Sequence, residues 1–123
     1  MDQKHILLVE DDAIVIESIV YTLEKAGYVV EHTVSGSLGV GMALKSRPDL
    51  VIADLLLPDI NGAEMITKIR KDPWGKDAKI IVLTNLDEAQ MKIKLSSLNV
   101  LRYLLKVDSS LAKITQIVNE VLK

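Results

Sequence analysis

The 123-residue sequence contains no cysteine and no phenylalanine. Without cysteine there can be no disulfide scaffold, no thiolate zinc site and no cysteine nucleophile. Aromatic residues reach only 3% beside 49% hydrophobic residues in all, so the core must be aliphatic and the chain does not read as disordered. Charge of one sign is also lacking. Fifteen basic against seventeen acidic residues leave a net charge of −2, without the basic footprint of a nucleic-acid binder, so no direct nucleic acid binding is expected. The two histidines, His5 and His32, lie far apart in sequence and offer no cluster for a metal. No apolar run approaches the ~18 residues that a membrane span needs, and no membrane association is expected. The opening MDQKHILLVEDD meets acids too early for a secretory signal. No repeat, low-complexity tract or Pro/Gly/Ser-rich linker divides the chain. These absences together predict one soluble, cytoplasmic domain over residues 1–123.

What is present is an alternation of two patterns. His5 to Val9, Asp49 to Asp54 and Lys79 to Thr84 are continuous apolar runs rather than polar–apolar alternations. Strands buried on both faces of a parallel sheet read this way. Tyr28 to Thr33 and Val100 to Leu104 supply two weaker strands. Between them lie helical spacings. Ala13 to Ala26 carries Ile16, Ile19, Val20 and Leu23, with Gly27 as the residue past its end. Ser35 or Ser37 caps a helix to about Lys45, and Gly62 to Lys71 sets Met65, Ile66 and Ile69 on one stripe. A less cleanly patterned helix covers Asp87 to Ser97, with Asn99 available for a left-handed stop. Asp108, Ser109 or Ser110 caps a last helix with Leu111, Ile114, Ile117, Val118 and Val121 inward. The expectation is an α/β fold: a doubly wound five-stranded parallel sheet with five helices in three layers, flavodoxin-like.

In such sheets ligands bind beyond the carboxyl ends of the strands. The first strand ends at Val9, followed by Glu10-Asp11-Asp12, the third ends at Asp54, the fourth at Thr84, and the fifth is followed by Lys106. Three carboxylates, a hydroxyl and an ammonium would therefore share one rim. Two carboxylates ~4 Å apart repel by about 4 kcal/mol at an effective dielectric of 20, so the cluster should take up protons or bind a cation. With no thiolate or imidazole at hand, the cation is hard and oxygen-loving, and Mg2+ fits. A carboxylate beside Mg2+ can take a phosphoryl group, whose equatorial oxygens would be met by Mg2+, Lys106 and Thr84. The plainer alternatives are that an acid after a strand caps the next helix, as expected of Asp12, that a lone Asp is a turn residue, and that a lone Lys is solvated.

The runs Ile6-Leu-Leu-Val-Glu-Asp-Asp12, Asp49-Leu-Val-Ile-Ala-Asp-Leu-Leu-Leu-Pro-Asp-Ile-Asn-Gly62, Ile80-Ile-Val-Leu-Thr84 and Tyr103-Leu-Leu-Lys106 resemble, in order and spacing, the response-regulator receiver domain of two-component systems, the CheY-like family. The resemblance spans essentially the whole chain. It implies that Asp54 is the phosphoacceptor, that Asp11 and Asp54 bind Mg2+ directly with the Leu56 backbone carbonyl, and that Glu10 acts through water. It also implies that Thr84 is the switch hydroxyl, Tyr103 the switch aromatic, and Lys106 the phosphate-binding lysine. The partners implied are a sensor histidine kinase or phosphotransfer protein, and an output protein or C-terminal output domain. The implied output surface comprises the helix expected over 87–97, the fifth strand and the last helix, where a phosphorylation-dependent homodimer would also form. The chain would not be an enzyme beyond its self-catalysed phosphoryl transfer and hydrolysis.

Several residues depart from or lie outside the family pattern. The usual proline after the lysine is replaced by Val107. A cis bond before a non-proline residue costs ~2.5–4 kcal/mol, so the Lys106–Val107 peptide should be trans, with an altered loop. Asn85 replaces the usual small residue after the switch hydroxyl. Lys92, Lys94 and Arg102 read as a solvated face, and Trp74 as a loop residue over the sheet edge. The rival readings are a degenerate receiver acting as a phosphorylation-independent interaction module, a haloacid-dehalogenase-type phosphatase and a flavodoxin-like cofactor binder. The phosphatase needs an Asp where Leu56 stands, and Glu10-Asp11-Asp12 would repel a cofactor phosphate. Leu56 and Leu86, two residues beyond Asp54 and Thr84, cannot orient an attacking water by hydrogen bonding. Self-dephosphorylation should therefore be slow; a phosphoryl half-life of only seconds, followed by intact mass, would contradict this.

Overall fold

The computed structural model describes residues 3–87, 89–90 and 95–123. Five strands form one sheet: β1 (His5–Val9), β2 (Val29–Thr33), β3 (Leu50–Ala53), β4 (Ile80–Thr84) and β5 (Arg102–Leu105). All pairs are parallel and the order is β2-β1-β3-β4-β5. That is the flavodoxin-like order, with its switch point between β1 and β3. The described residues hold four α-helices: α1 (Ala13–Lys25), α2 (Gly36–Ser46), α3 (Gly62–Arg70) and α4 (Leu111–Leu122). Five of the eleven residues of the helix expected over 87–97 lie outside the described residues, so the expectation of five becomes four described. Residues 89, 90 and 95 within that span are helical. Lys92 and Lys94 also lie outside the described residues.

The continuous apolar strands do what their pattern requires. Along β1, β3 and β4 successive side chains enter opposite cores. Ile6, Leu8, Leu50, Ile52, Ile81 and Leu83 pack with α1 and α4. Leu7, Val9, Val51, Ala53, Ile80 and Val82 pack with α2 and α3. The result is three layers, helix pair on sheet on helix pair. Ile16, Ile19 and Leu23 of α1 are buried as their spacing predicts, and so are Ile114, Ile117 and Val118 of α4. Leu111 is the exception, 40% exposed, because it opens the helix at the rim instead of facing the sheet.

The caps follow the sequence closely. Asp12 caps α1, its Oδ1 accepting from the amides of Ile14 at 2.9 Å and Val15 at 3.3 Å. Ser35 caps α2, Asn61 caps α3 and Ser110 caps α4. Gly27 and Asn99 both take positive φ, at 99° and 54°. Arg47, at φ 49°, does the same after α2, a position with no sequence signal for it. Arg70, at the end of α3, gathers backbone carbonyls from elsewhere. Its guanidinium donates to Leu98 at 2.9 Å, Gly75 at 2.8 Å, Ala78 at 2.6 Å and Asn99 at 3.1 Å. Trp74 is half-buried against the second core, beside the 3₁₀ turn Gly75–Asp77.

The loop from Asp54 to α3 is fastened at two points. At its far end the Gly62 amide donates to the Leu55 carbonyl at 2.9 Å. A Cβ on Gly62 would lie 2.3 Å from the Asp54 carbonyl oxygen and 2.7 Å from the Leu55 Cα. Gly62 is thus required for close backbone approach. Midway, the Asp59 carboxylate accepts from the Ser35 hydroxyl at 2.8 Å and from the amides of Gly36 and Ser37, each at 2.9 Å. These bonds hold the Asp59 pKa well below the usual carboxylate range, the Ser37 amide contributing most.

Gly62→Ala should lose about 1–3 kcal/mol of stability, read by chemical denaturation, because backbone cannot yield as a side-chain end can. Asp59→Asn should lower the melting temperature at neutral pH. A carboxyl whose folded pKa is depressed stabilises the fold above its unfolded pKa and loses that contribution as pH falls toward the folded value. The gap between wild type and Asp59→Asn should therefore close as pH falls below about 3.9, checked by melting curves across an acid series.

Candidate functional site

The sheet register assembles the site. Val9 pairs with Ala53, and the next residues, Glu10 and Asp54, continue side by side, with the Asp54 amide donating to the Val9 carbonyl at 3.0 Å. Alternation sends the side chains of Glu10 and Asp54 toward the face of Ile6, Leu8, Leu50 and Ile52. Lys106 stands one residue beyond Leu105 and shares the parity of Leu104, which packs on the same face. Three strands that are not sequence neighbours thus deliver two acids and a lysine to one spot.

The contacts are short. The Lys106 ammonium donates to Glu10 Oε1 at 2.6 Å and to Asp54 Oδ2 at 2.7 Å. Glu10 is 1% exposed and Asp54 4% exposed. The other Glu10 oxygen, Oε2, accepts the amides of Asp11 at 3.0 Å and Asp12 at 2.9 Å. The other Asp54 oxygen, Oδ1, accepts the Leu56 amide at 3.1 Å. Burial pushes the Glu10 carboxyl up, against the pull of Lys106 and the Asp12 amide. Burial also opposes the charge on Lys106, but its hydrogen bonds to Asp54 and Glu10 outweigh this and hold its pKa above the ordinary lysine value.

Asp11 completes the acidic group. One carboxylate oxygen from each of Glu10, Asp11 and Asp54 lies within 4.8 Å of the others. Asp11 is exposed, and its side chain makes no hydrogen bond or ion pair among the described residues. An all-oxygen donor set of this kind suits a hard divalent cation and no soft one. Glu10 accepts the ammonium and two amides, Asp54 the ammonium and one amide, and Asp11 is exposed, so Asp11 and Asp54 are the less encumbered carboxylates for a cation. The residues present therefore fit Mg2+.

Not every expected residue joins this cluster. Thr84 is fully buried at the end of β4, with the parity of Ile80 and Val82, and its Oγ1 accepts the Leu86 amide at 3.5 Å. Tyr103, paired in register with Val82, is 42% exposed on β5. Leu56 is exposed and Leu86 half-buried; Asn85 is exposed. The Lys106–Val107 peptide is trans, as its non-proline sequence requires. Residues Lys106–Asp108 coil into a 3₁₀ turn, and Val107 is 78% exposed. Asp59 and Ser35 were not singled out together by the sequence, since 24 residues separate them and no local motif joins them. Behind Lys106, between α1 and the start of α4, lies an apolar hollow of about 240 Å³ that includes Ile14, Ile19, Leu83 and Ser109.

Comparison with known proteins agrees with this arrangement. A family model described as the response regulator receiver domain matches residues 6–119. The probable transcriptional regulatory protein SilR of Salmonella typhimurium is 38% identical over 101 residues, covering 82% of this chain and 43% of that protein. The DNA-binding dual master transcriptional regulator RpaA of Synechocystis is 35% identical over 89 residues, covering 72% of this chain and 37% of that one. The match thus spans less than half the length of either relative. Among solved structures, chemotaxis protein CheY4 of Vibrio cholerae superposes with a TM-score of 0.90 at 25% identity, covering 98% of this chain and 100% of that one. The receiver domain of a sensor histidine kinase from Pseudomonas aeruginosa PAO1, solved with a magnesium ion coordinated in its active-site cleft, gives 0.89 at 26% identity over 98% of both chains. With its parallel sheet in this strand order and its acids and lysine at the strand ends, the chain belongs to the response regulator receiver domain family of two-component systems.

Proposed function

We propose that this receiver domain takes a phosphoryl group from a phosphohistidine onto Asp54 in the presence of Mg2+ and passes the change to its surface. The observation that carries the reading is the Lys106 ammonium held between Glu10 and Asp54, at 2.6 and 2.7 Å, beside the exposed carboxylate of Asp11. The family and the magnesium-bound relative support it.

Asp54 attacks as a carboxylate, so no base is needed. Its oxygen forms the bond to phosphorus as the phosphorus–nitrogen bond breaks, and the imidazole of the donor leaves. Lys106 is pre-placed to follow the charge from the carboxylate to the phosphoryl oxygens, a preorganised donor in a water-poor setting. Asp11 and Asp54 would hold Mg2+ with the Leu56 carbonyl, while Glu10, which accepts two amides besides the ammonium, would act through water. When bound, Mg2+ supplies positive charge to the transferring phosphoryl oxygens. The Thr84 hydroxyl has one long hydrogen bond to lose, to Leu86 at 3.5 Å, so turning it toward a phosphate costs little. Tyr103, 42% exposed on β5, would exchange an outward for an inward position as Thr84 moves. The pair is a two-position device that phosphorylation biases. The donor would be a sensor histidine kinase or phosphotransfer protein, and the output a separate protein or an attached domain in the cytoplasm.

Incubation with acetyl phosphate and Mg2+ should add one phosphoryl group by intact mass. Asp54→Asn should take none, chelation of Mg2+ should prevent the reaction, and Lys106→Ala should slow it by on the order of 10²–10³. A wild-type protein that gains nothing would instead mark the chain as an interaction module blind to phosphate.

A further inference from the structure

The loop that follows Asp54 is held from outside by α2. Both oxygens of Asp59 are engaged there: Oδ2 by the Ser35 hydroxyl at 2.8 Å and the Ser37 amide at 2.9 Å, Oδ1 by the Gly36 amide at 2.9 Å. Ser35 already caps α2 through the Leu38 amide at 3.1 Å. Asp59 therefore caps the same helix a second time, from a loop more than twenty residues away. A carboxylate at a helix N-terminus is also favoured by the helix dipole.

A second, independent feature shows how closely the two segments meet. A Cβ on Gly36 would lie 2.6 Å from Ile60 Cγ1 and 3.2 Å from Leu57 Cδ1. Leu57 and Ile60 pack against the second core, so the loop is seated on the first turn of α2 on both sides of Asp59. The same loop carries Leu56, whose amide donates to Asp54 Oδ1 at 3.1 Å. The anchoring then continues to the acidic group from the other direction. Ser35 lies two residues beyond Thr33, whose carbonyl accepts the Glu10 amide at 3.0 Å. Glu10 in turn shares Lys106 with Asp54.

The geometry points to Asp59 as a positioning residue for the Asp54 centre: its clamp on Ser35, Gly36 and Ser37 holds the Leu56 amide on Asp54 and so sets the affinity for Mg2+ and the rate of phosphoryl acceptance. This inference rests on the reading of Asp54 as phosphoacceptor at a Mg2+ site. Asp59 touches neither reacting group; it acts through the backbone of the loop. Polar partners one step removed from a metal site typically change affinity or activity by 10–100-fold when lost.

The test compares wild type, Asp59→Ala, Asp59→Asn and Ser35→Ala with Tyr28→Phe. Tyr28 bonds to Asn119 of α4, so its variant is a destabilised control with the loop intact. Calorimetric titration with Mg2+ alone gives the affinity, and acetyl phosphate at saturating Mg2+ gives the rate. Asp59→Ala should weaken Mg2+ binding and slow phosphorylation by about tenfold each. Asp59→Asn, which keeps an acceptor oxygen, should fall between it and wild type. Tyr28→Phe should melt earlier with both constants unchanged. If Asp59→Ala does not fold, Ser35→Ala, which removes one of the three donors, decides the matter by a smaller shift in the same direction. Asp59 and Ser35 variants that match Tyr28→Phe, with both constants within about twofold of wild type, would overturn the inference and leave the phosphoacceptor reading standing. A wild type that binds Mg2+ but gains no phosphoryl group would overturn that reading, while the Mg2+ affinities would still decide the role of Asp59. A wild type that does not bind Mg2+ would overturn both.

Discussion

One ammonium makes the rest of the structure admissible. Glu10 and Asp54 are nearly inaccessible to solvent and lie side by side at the ends of neighbouring strands. Two such charges ~4 Å apart repel by about 4 kcal/mol even at an effective dielectric of 20. Lys106 answers both at once, at 2.6 and 2.7 Å. Its presence is what lets β1 and β3 end in acids while the residues just before them sit in dry cores. Breaking such a buried group on one side is far more damaging than its net contribution suggests, because it leaves a charge without a partner. Asp11 adds a third, exposed carboxylate beside them, an all-oxygen group that suits a hard cation.

Much of this was legible in the sequence because it rests on short-range rules. Uninterrupted apolar runs mean strands covered on both faces, and Ile6 through Val9 and Ile80 through Leu83 are covered on both faces. Acids placed directly after such runs land at the ligand-binding edge of a parallel sheet, as Glu10 and Asp54 do. Caps such as Asp12 and Ser110, and the left-handed Asn99, depend on a residue's own chemistry and its near neighbours.

What the sequence did not disclose depends on residues meeting across long separations. Nothing near Asp59 announces that it closes the start of α2, and nothing near Arg70 announces its carbonyl partners at Leu98 and Asn99. A polar side chain in a loop looks solvated until the fold brings it a partner. Leu111 failed the other way: its spacing belongs to the inward stripe of α4, but its place in the first turn leaves it at the rim. Periodicity reports direction around a helix axis and says nothing of whether a neighbour covers that turn.

The alternation of side chains along β5 has a consequence for how this chain can change over time. Leu104 and Lys106 point to one side of the sheet, while Leu105 serves the opposite core. A single residue lost within Arg102–Leu105 would exchange the two sides, sending the Lys106 ammonium toward the second core and Val107 toward the two acids. Substitutions that respect size can accumulate along such a strand, but a change in its count by one cannot be absorbed locally. The number of residues in the strand behaves like a reading frame, and the chemistry at its end is the message that a frameshift would destroy.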